Sequence, residues 1–284
     1  MTLTLQRRIQ EFYDASSGLW EDVWGEHMHH GYYGADGSDR KSRYQAQVDL
    51  IEELLRWGGV EQASQILDVG CGIGGSALHL AEKYGAIATG ITLSPVQANR
   101  AQERAKAAGL EAHFEVADAL AMPFEDESFD LVWSLESGEH MPDKAQFLKE
   151  CCRVLKPGGT FLMAAWCHRP DEPPHDPLTL KEKQLLDRIY QVYCLPYIIS
   201  LPAFEAIAHD LPFQAIQTED WSDAVAPFWR EVIGSAFSLQ AILGLIKAGP
   251  KILKAAMSLG LMQQGYQQGV MKLGVMRATK SSTN

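Results

Sequence analysis

The chain has 284 residues, 46% of them hydrophobic and 21% charged, with 25 Lys and Arg set against 36 Asp and Glu for a net charge of −11. That length suits one large domain or a domain with a substantial appendage, and an acidic balance with no basic stripe argues against nucleic acid as the main partner. Five cysteines without metal-like spacing read as buried thiols in a reducing compartment, and with no apolar signal core in Met1 to Asp14 a cytoplasmic location is expected.

Thr4 to Asp14 has helical spacing, with Leu5, Ile9, Phe12 and Tyr13 on one side. The run from Trp20 to Gly34 then concentrates Trp20, Trp24, His27, His29, His30, Tyr32 and Tyr33. A His-rich tract can bind metal, but no Cys is near and Gly25 and Gly31 disfavour the helix that Glu26 and His30 would need, so no metal is assigned. Plain aromatic packing suits Trp20 and Trp24 equally well. For the whole stretch, a lid that folds over a ligand is the preferred reading.

A helix is expected from Arg43 to Trp57, ending at Gly58-Gly59. The stretch that organises the rest is Ile66-Leu67-Asp68-Val69-Gly70-Cys71-Gly72-Ile73-Gly74-Gly75. It reads as a strand, a tight glycine turn and a helix whose free N–H groups face a ligand. Gly70, Gly72 and Gly75 also satisfy the dinucleotide fingerprint. Asp68 argues against a pyrophosphate there and suits a ligand with a positive end, such as S-adenosylmethionine (SAM). Strands over Ala86–Leu93, His113–Val116, Phe129–Ser134 and Thr160–Trp166 alternate with helices from Ser94 to Ala108 and Phe147 to Leu155. This alternation predicts a parallel sheet with helices on both faces and a ligand beyond the strands' carboxyl ends.

Past Arg169 four prolines break the pattern. A helix over Leu178–Tyr193, a strand over Ala215–Trp221, mostly helix over Ala224–Met262 and a last strand over Gln268–Thr279 are expected. Lys247, Pro250, Lys251 and Lys254 exclude a membrane span within Leu239–Met262, so this region reads as a helical cap, with contact at a membrane surface as a secondary reading. Residues 1–59 thus form N-terminal helices and the aromatic lid, 60–169 an α/β core, and 170–284 the cap and last strands.

Five motifs now agree in order: Leu67–Gly74, Gly90-Ile91-Thr92-Leu93-Ser94-Pro95-Val96-Gln97, Ala117-Asp118-Ala119, Phe129–Ser134 and Arg153-Val154-Leu155-Lys156-Pro157-Gly158-Gly159. Jointly they resemble the class I SAM-dependent methyltransferases. The resemblance implies a Rossmann-like seven-stranded, mostly parallel sheet whose last strand runs antiparallel, and SAM as cofactor. Asp68, Gly70, Cys71, Gly72 and Gly74 would form its loop, with Leu135 beyond the fourth strand. Asp118 would face the adenine amine with Ala119 beside it, and Leu93 and Gln97 would line the cofactor. Thr92 stands where the family's ribose-binding acid is usual.

A narrower resemblance is carried by Phe12–Glu21, Glu26–Tyr33 and Ser134–Asp143. It is to the γ-tocopherol methyltransferases and their alkaloid N-methyltransferase relatives, and it implies a small lipophilic phenol or amine as acceptor. Methylating a phenol ring carbon requires withdrawal of the hydroxyl proton. His140 is the first choice for base, Glu139 the next, and Glu136 follows the same strand. A plain hydrogen-bonded histidine before Pro142 is the rival reading of His140. Tyr13, Trp24, His30 and Tyr32 would wall the pocket, an aromatic face steadying the sulfonium. The alternatives are an amine N-methyltransferase, a sterol-type C-methyltransferase and a SAM-binding protein without activity.

Overall fold

A computed structural model describes residues 5–11, 13–14, 25–236 and 250–282. Seven strands form one sheet: β1 (Gln65–Val69), β2 (Ile87–Thr92), β3 (Ala112–Val116), β4 (Phe129–Leu135), β5 (Leu155–His168), β6 (Phe213–Asp220) and β7 (Met271–Lys280). Their order is β3-β2-β1-β4-β5-β7-β6, parallel from β3 to β5, with β7 antiparallel to both β5 and β6. This is the expected sheet. The order reverses at β1, whose neighbours are β2 and β4, and that reversal opens a crevice above the carboxyl ends.

Period-two alternation assigns the two apolar layers. Leu162, Ala164 and Trp166 of β5 join Leu50, Ile51 and Leu54 of the helix Arg43–Gly58 on one face. Phe161, Met163 and Ala165 join Phe147 and Leu148 of the helix Lys144–Val154 on the other. Buried on both faces, the central strands need no polar alternation, which is why they read as apolar runs.

Local chemistry sets the ends of the helices. Ser94 Oγ accepts from Gln97 N at 3.1 Å with Pro95 in the first turn, starting Pro95–Ala108 as the sequence indicates. Thr179 and Glu182 form a capping box for Leu180–Tyr193. Lys156-Pro157-Gly158-Gly159, between the expected helix Phe147–Leu155 and the expected strand Thr160–Trp166, lies inside a longer β5. The helix ends at Val154, and Gly158 takes φ 76° within the strand. In the C-terminal helical stretch the described helices are Ser222–Val225, Pro227–Ala236 and Pro250–Gln267. Trp24 and part of Leu239–Met262 lie outside the described residues. Among the described residues no helix is long and apolar enough to cross a membrane.

Candidate active site

One cavity opens above β1 and β4, and the glycine turn forms its floor. Gly70 and Gly72 line it with φ of 83° and 54°, angles that glycine adopts without steric cost. The two differ in what crowds them. A Cβ on Gly70 would lie 2.2 Å from Ser137 Cβ, whereas on Gly72 the nearest atom would be Met28 Sδ at 3.8 Å. Gly70 therefore makes room for the chain after β4, and Gly72 leaves its space to the cavity.

Asp68, at 2% exposure, takes a hydrogen bond from the Ala77 backbone N–H. Its Oδ2 has no partner among the described residues. Burial raises its pKa to about 7. Such an atom at a cavity wall fits a cationic group, as the sequence suggests. At the end of β2, Thr92 Oγ1 donates to Gln97 Oε1 at 2.7 Å and accepts from Ser94 N at 3.2 Å. A hydroxyl–amide pair thus occupies the place of the usual acid. Leu93, Gln97, Ala119, Cys71 and Leu135 line the cavity, as does Asp118 after β3. Asp118 Oδ2 accepts from Gln6 Nε2 at 2.5 Å, so the N-terminal segment reaches over this end.

The other end carries the titratable groups. His140, in the turn Gly138–His140, has Nε2 2.7 Å from Tyr13 Oη. Burial, then the nearby Lys144 charge, lowers the His140 imidazole to about 3, so the ring is neutral. Burial first, then Glu139, raises the Tyr13 hydroxyl well above its usual range. Glu139 is 1% exposed and pushed to about 8 by burial and then by Glu136. It is therefore a protonated acid at neutral pH, which ranks it behind His140 as a base.

Glu136 corrects the reading of a second catalytic carboxylate. Its Oε1 accepts from His30 N, and its Oε2 from His30 Nδ1 and Trp166 Nε1, each at 2.7 Å. Against the cost of burial, the His30 contact holds this carboxyl below its usual range. Three donors commit it to clamping the segment around His30 onto the end of β4.

Three further residues are placed otherwise than expected. His30 stands behind the cavity wall, its ring 5.0 Å from Trp229 and 5.1 Å from Phe228. Tyr32 faces away from the cavity, packing 5.5 Å from Trp221, because its backbone N–H binds Ala46 O on the neighbouring helix. Gly74 supports the loop from behind, since a Cβ there would lie 2.8 Å from Phe114 Cζ and 3.0 Å from Ala101 Cβ. Tyr13 does line the cavity. Sequence reasoning passed over Gln6, His29, Ser137, Trp166 and Tyr193, which also line it. Of these only His29, in the aromatic run, carried a signal strong enough to single it out.

The methyltransferase domain family matches residues 67–163. Over 98% of its length the chain is 46% identical to the tocopherol O-methyltransferase, chloroplastic, of Arabidopsis thaliana, covering 83% of that protein. It is 34% identical to the norajmaline N-methyltransferase of Rauvolfia serpentina, over 97% of this chain and 98% of that protein. Among solved structures, that of a candidate sarcosine dimethylglycine methyltransferase from Galdieria sulphuraria matches with a TM-score of 0.80 at 27% identity, covering 94% of this chain and 99% of that one.

Proposed function

The chain belongs to the SAM-dependent methyltransferases, in the family of the tocopherol methyltransferases, and from that premise we propose that it methylates a ring carbon beside the hydroxyl of a tocopherol-type prenylated phenol. The residues present fit the cofactor. Asp68 offers a buried, unpaired oxygen to its ammonium, Gly72 leaves room for close approach, and Asp118, which lines the same cavity, would accept from the adenine amine. When bound, SAM supplies a methyl group already activated by a sulfonium.

The chain's own residues then have two tasks. The first is alignment: Leu93 and Gln97 on one side and Leu135, Trp166 and Tyr193 on the other confine donor and acceptor within one cavity. Alignment of this kind can be worth ~7–11 kcal/mol. The second is proton withdrawal. His140, neutral and oriented by Tyr13, takes the phenolic proton, which gives the ring carbon beside the oxygen carbanion character. Glu139, protonated, can donate a hydrogen bond to an acceptor oxygen without adding a second negative charge.

The observation that carries this reading is the half-buried Tyr13–His140 pair in the cavity wall of a chain 46% identical to a tocopherol methyltransferase. An amine acceptor brings its own lone pair and has no need of that base. The test is turnover of labelled SAM with γ-tocopherol, a sterol and a secondary amine, each product identified by NMR. A new ring methyl on γ-tocopherol is expected. A methyl ether, or turnover confined to the amine, would overturn the assignment.

A further inference from the structure

His29 ends with an acceptor that no described residue uses. Its Nδ1 lies 2.8 Å from the carbonyl oxygen of His30. A carbonyl only accepts, so Nδ1 carries the ring proton and Nε2 keeps a bare lone pair. His29 is 4% exposed and lines the cavity, and among the described residues nothing donates to Nε2. The backbone here is held firmly. Gln47, fully buried on the helix Arg43–Gly58, donates from Nε2 to the carbonyls of both His27 and His29, the latter at 3.0 Å. Buried acceptors are normally satisfied, and a ligand in the cavity that His29 lines can supply the donor.

The sheet order tells which part of a ligand that is. Thr92 and Asp118 follow β2 and β3, on one side of β1, while Glu136 follows β4 on the other. A cofactor with its adenine at Asp118 lays its opposite end across β1 toward β4. His29 sits at that opposite end. The adjoining His30 is bonded to Glu136 at 2.7 Å, and the His29 ring lies 5.3 Å from that of His27. His27 Nδ1 in turn comes within 2.8 Å of where a Cβ on Gly75 would be, at the start of the helix after the glycine turn.

We propose that His29 binds the α-ammonium at the amino-acid end of SAM, its Nε2 accepting one N–H while the unpaired Asp68 oxygen accepts another. The proposal rests on the cofactor reading above. Burial disfavours the charged form of the ring, so His29 stays neutral and does not repel the cation it binds.

Calorimetry with two ligands tests it. S-adenosylhomocysteine carries the ammonium, and 5′-methylthioadenosine lacks the whole amino-acid end. His29→Phe should weaken S-adenosylhomocysteine about 10- to 100-fold, as expected for a hydrogen bond to a charged group, and leave 5′-methylthioadenosine unchanged. His29→Gln, whose amide oxygen can replace Nε2, should recover most of the loss. Equal loss for both ligands, or no loss for either, would overturn the proposal, as would a rise confined to the acceptor KM. Should His29→Phe not fold, nitrogen NMR of the wild-type histidines decides instead. The His29 Nε2 signal should shift with S-adenosylhomocysteine and stay put with 5′-methylthioadenosine, and identical behaviour with both overturns the assignment. Wild-type protein that bound neither ligand would remove the cofactor reading itself, a result distinct from any loss limited to the variants.

Discussion

Tyr13 Oη and His140 Nε2 lie 2.7 Å apart although 127 positions separate them in the chain. The contact closes the N-terminal segment onto the turn after β4, and the two rings meet edge-on with centroids 5.4 Å apart. It also decides which ionised forms exist. Neither group gains charge readily in this half-buried setting, so both rings are neutral at ordinary pH.

His140→Ala should lower turnover on γ-tocopherol by ~10²–10⁴ while S-adenosylhomocysteine affinity stays near wild type. Activity requires the neutral ring, which is lost only as pH falls through about 3. A free imidazole would instead impose a limb near ~6.5. At saturating SAM the rate profile should therefore be flat across pH 6–7 in the wild type. Stopped assays over pH 5–9 check this, and an acidic limb near 6.5 that vanishes in the variant would refute the lowered value.

Cofactor affinity should rise with pH. Asp68 titrates at about 7 without ligand, and a bound ammonium favours its ionised form, so binding below pH 7 releases a proton. Calorimetry in buffers of different ionisation enthalpy should detect that release at pH 6. In Asp68→Asn both the proton release and the pH slope should disappear, and binding should weaken by ~1–3 kcal/mol.

The His30–Glu136 clamp should contribute mainly to stability. His30→Ala leaves a carboxylate buried with one partner fewer, a change that typically costs ~3–5 kcal/mol, visible as a lower denaturant midpoint. Because Glu136 is held below its ordinary range, its contribution is present above the unfolded value of ~4.3 and is lost as pH falls through the lower folded value. Acid unfolding of wild type and variant should converge at low pH.

The two lining glycines should fail differently. Gly70→Ala places a Cβ 2.2 Å from Ser137 Cβ and should destabilise the fold, with Ser137→Gly giving only partial rescue because φ remains 83°. Gly72→Ala meets nothing closer than 3.8 Å. It should fold with a penalty of ~1–2 kcal/mol for the left-handed backbone and lose cofactor affinity, as thermal melts with and without S-adenosylhomocysteine would show.

The layered architecture and the cofactor end of the site were legible in the sequence because their signals are local. Apolar runs mark strands buried on two faces, Ser94-Pro95 marks a helix start, and Asp68 with Gly70 and Gly72 falls within five consecutive positions. Chain order alone could not place Tyr32 or Gly74, since a ring or a glycine serves packing and binding equally well until its neighbours are known. The acceptor end belongs to the tertiary structure. Tyr13 with His140 and His30 with Glu136 are pairings across 127 and 106 positions. Whether Glu136 is a base or a clamp depends on which donors reach it. The protonation of His140 and Glu139 likewise follows from how completely water is excluded around them. Burial is a property of the assembled layers, because removing a charge's hydration requires surfaces contributed by segments far apart in the chain.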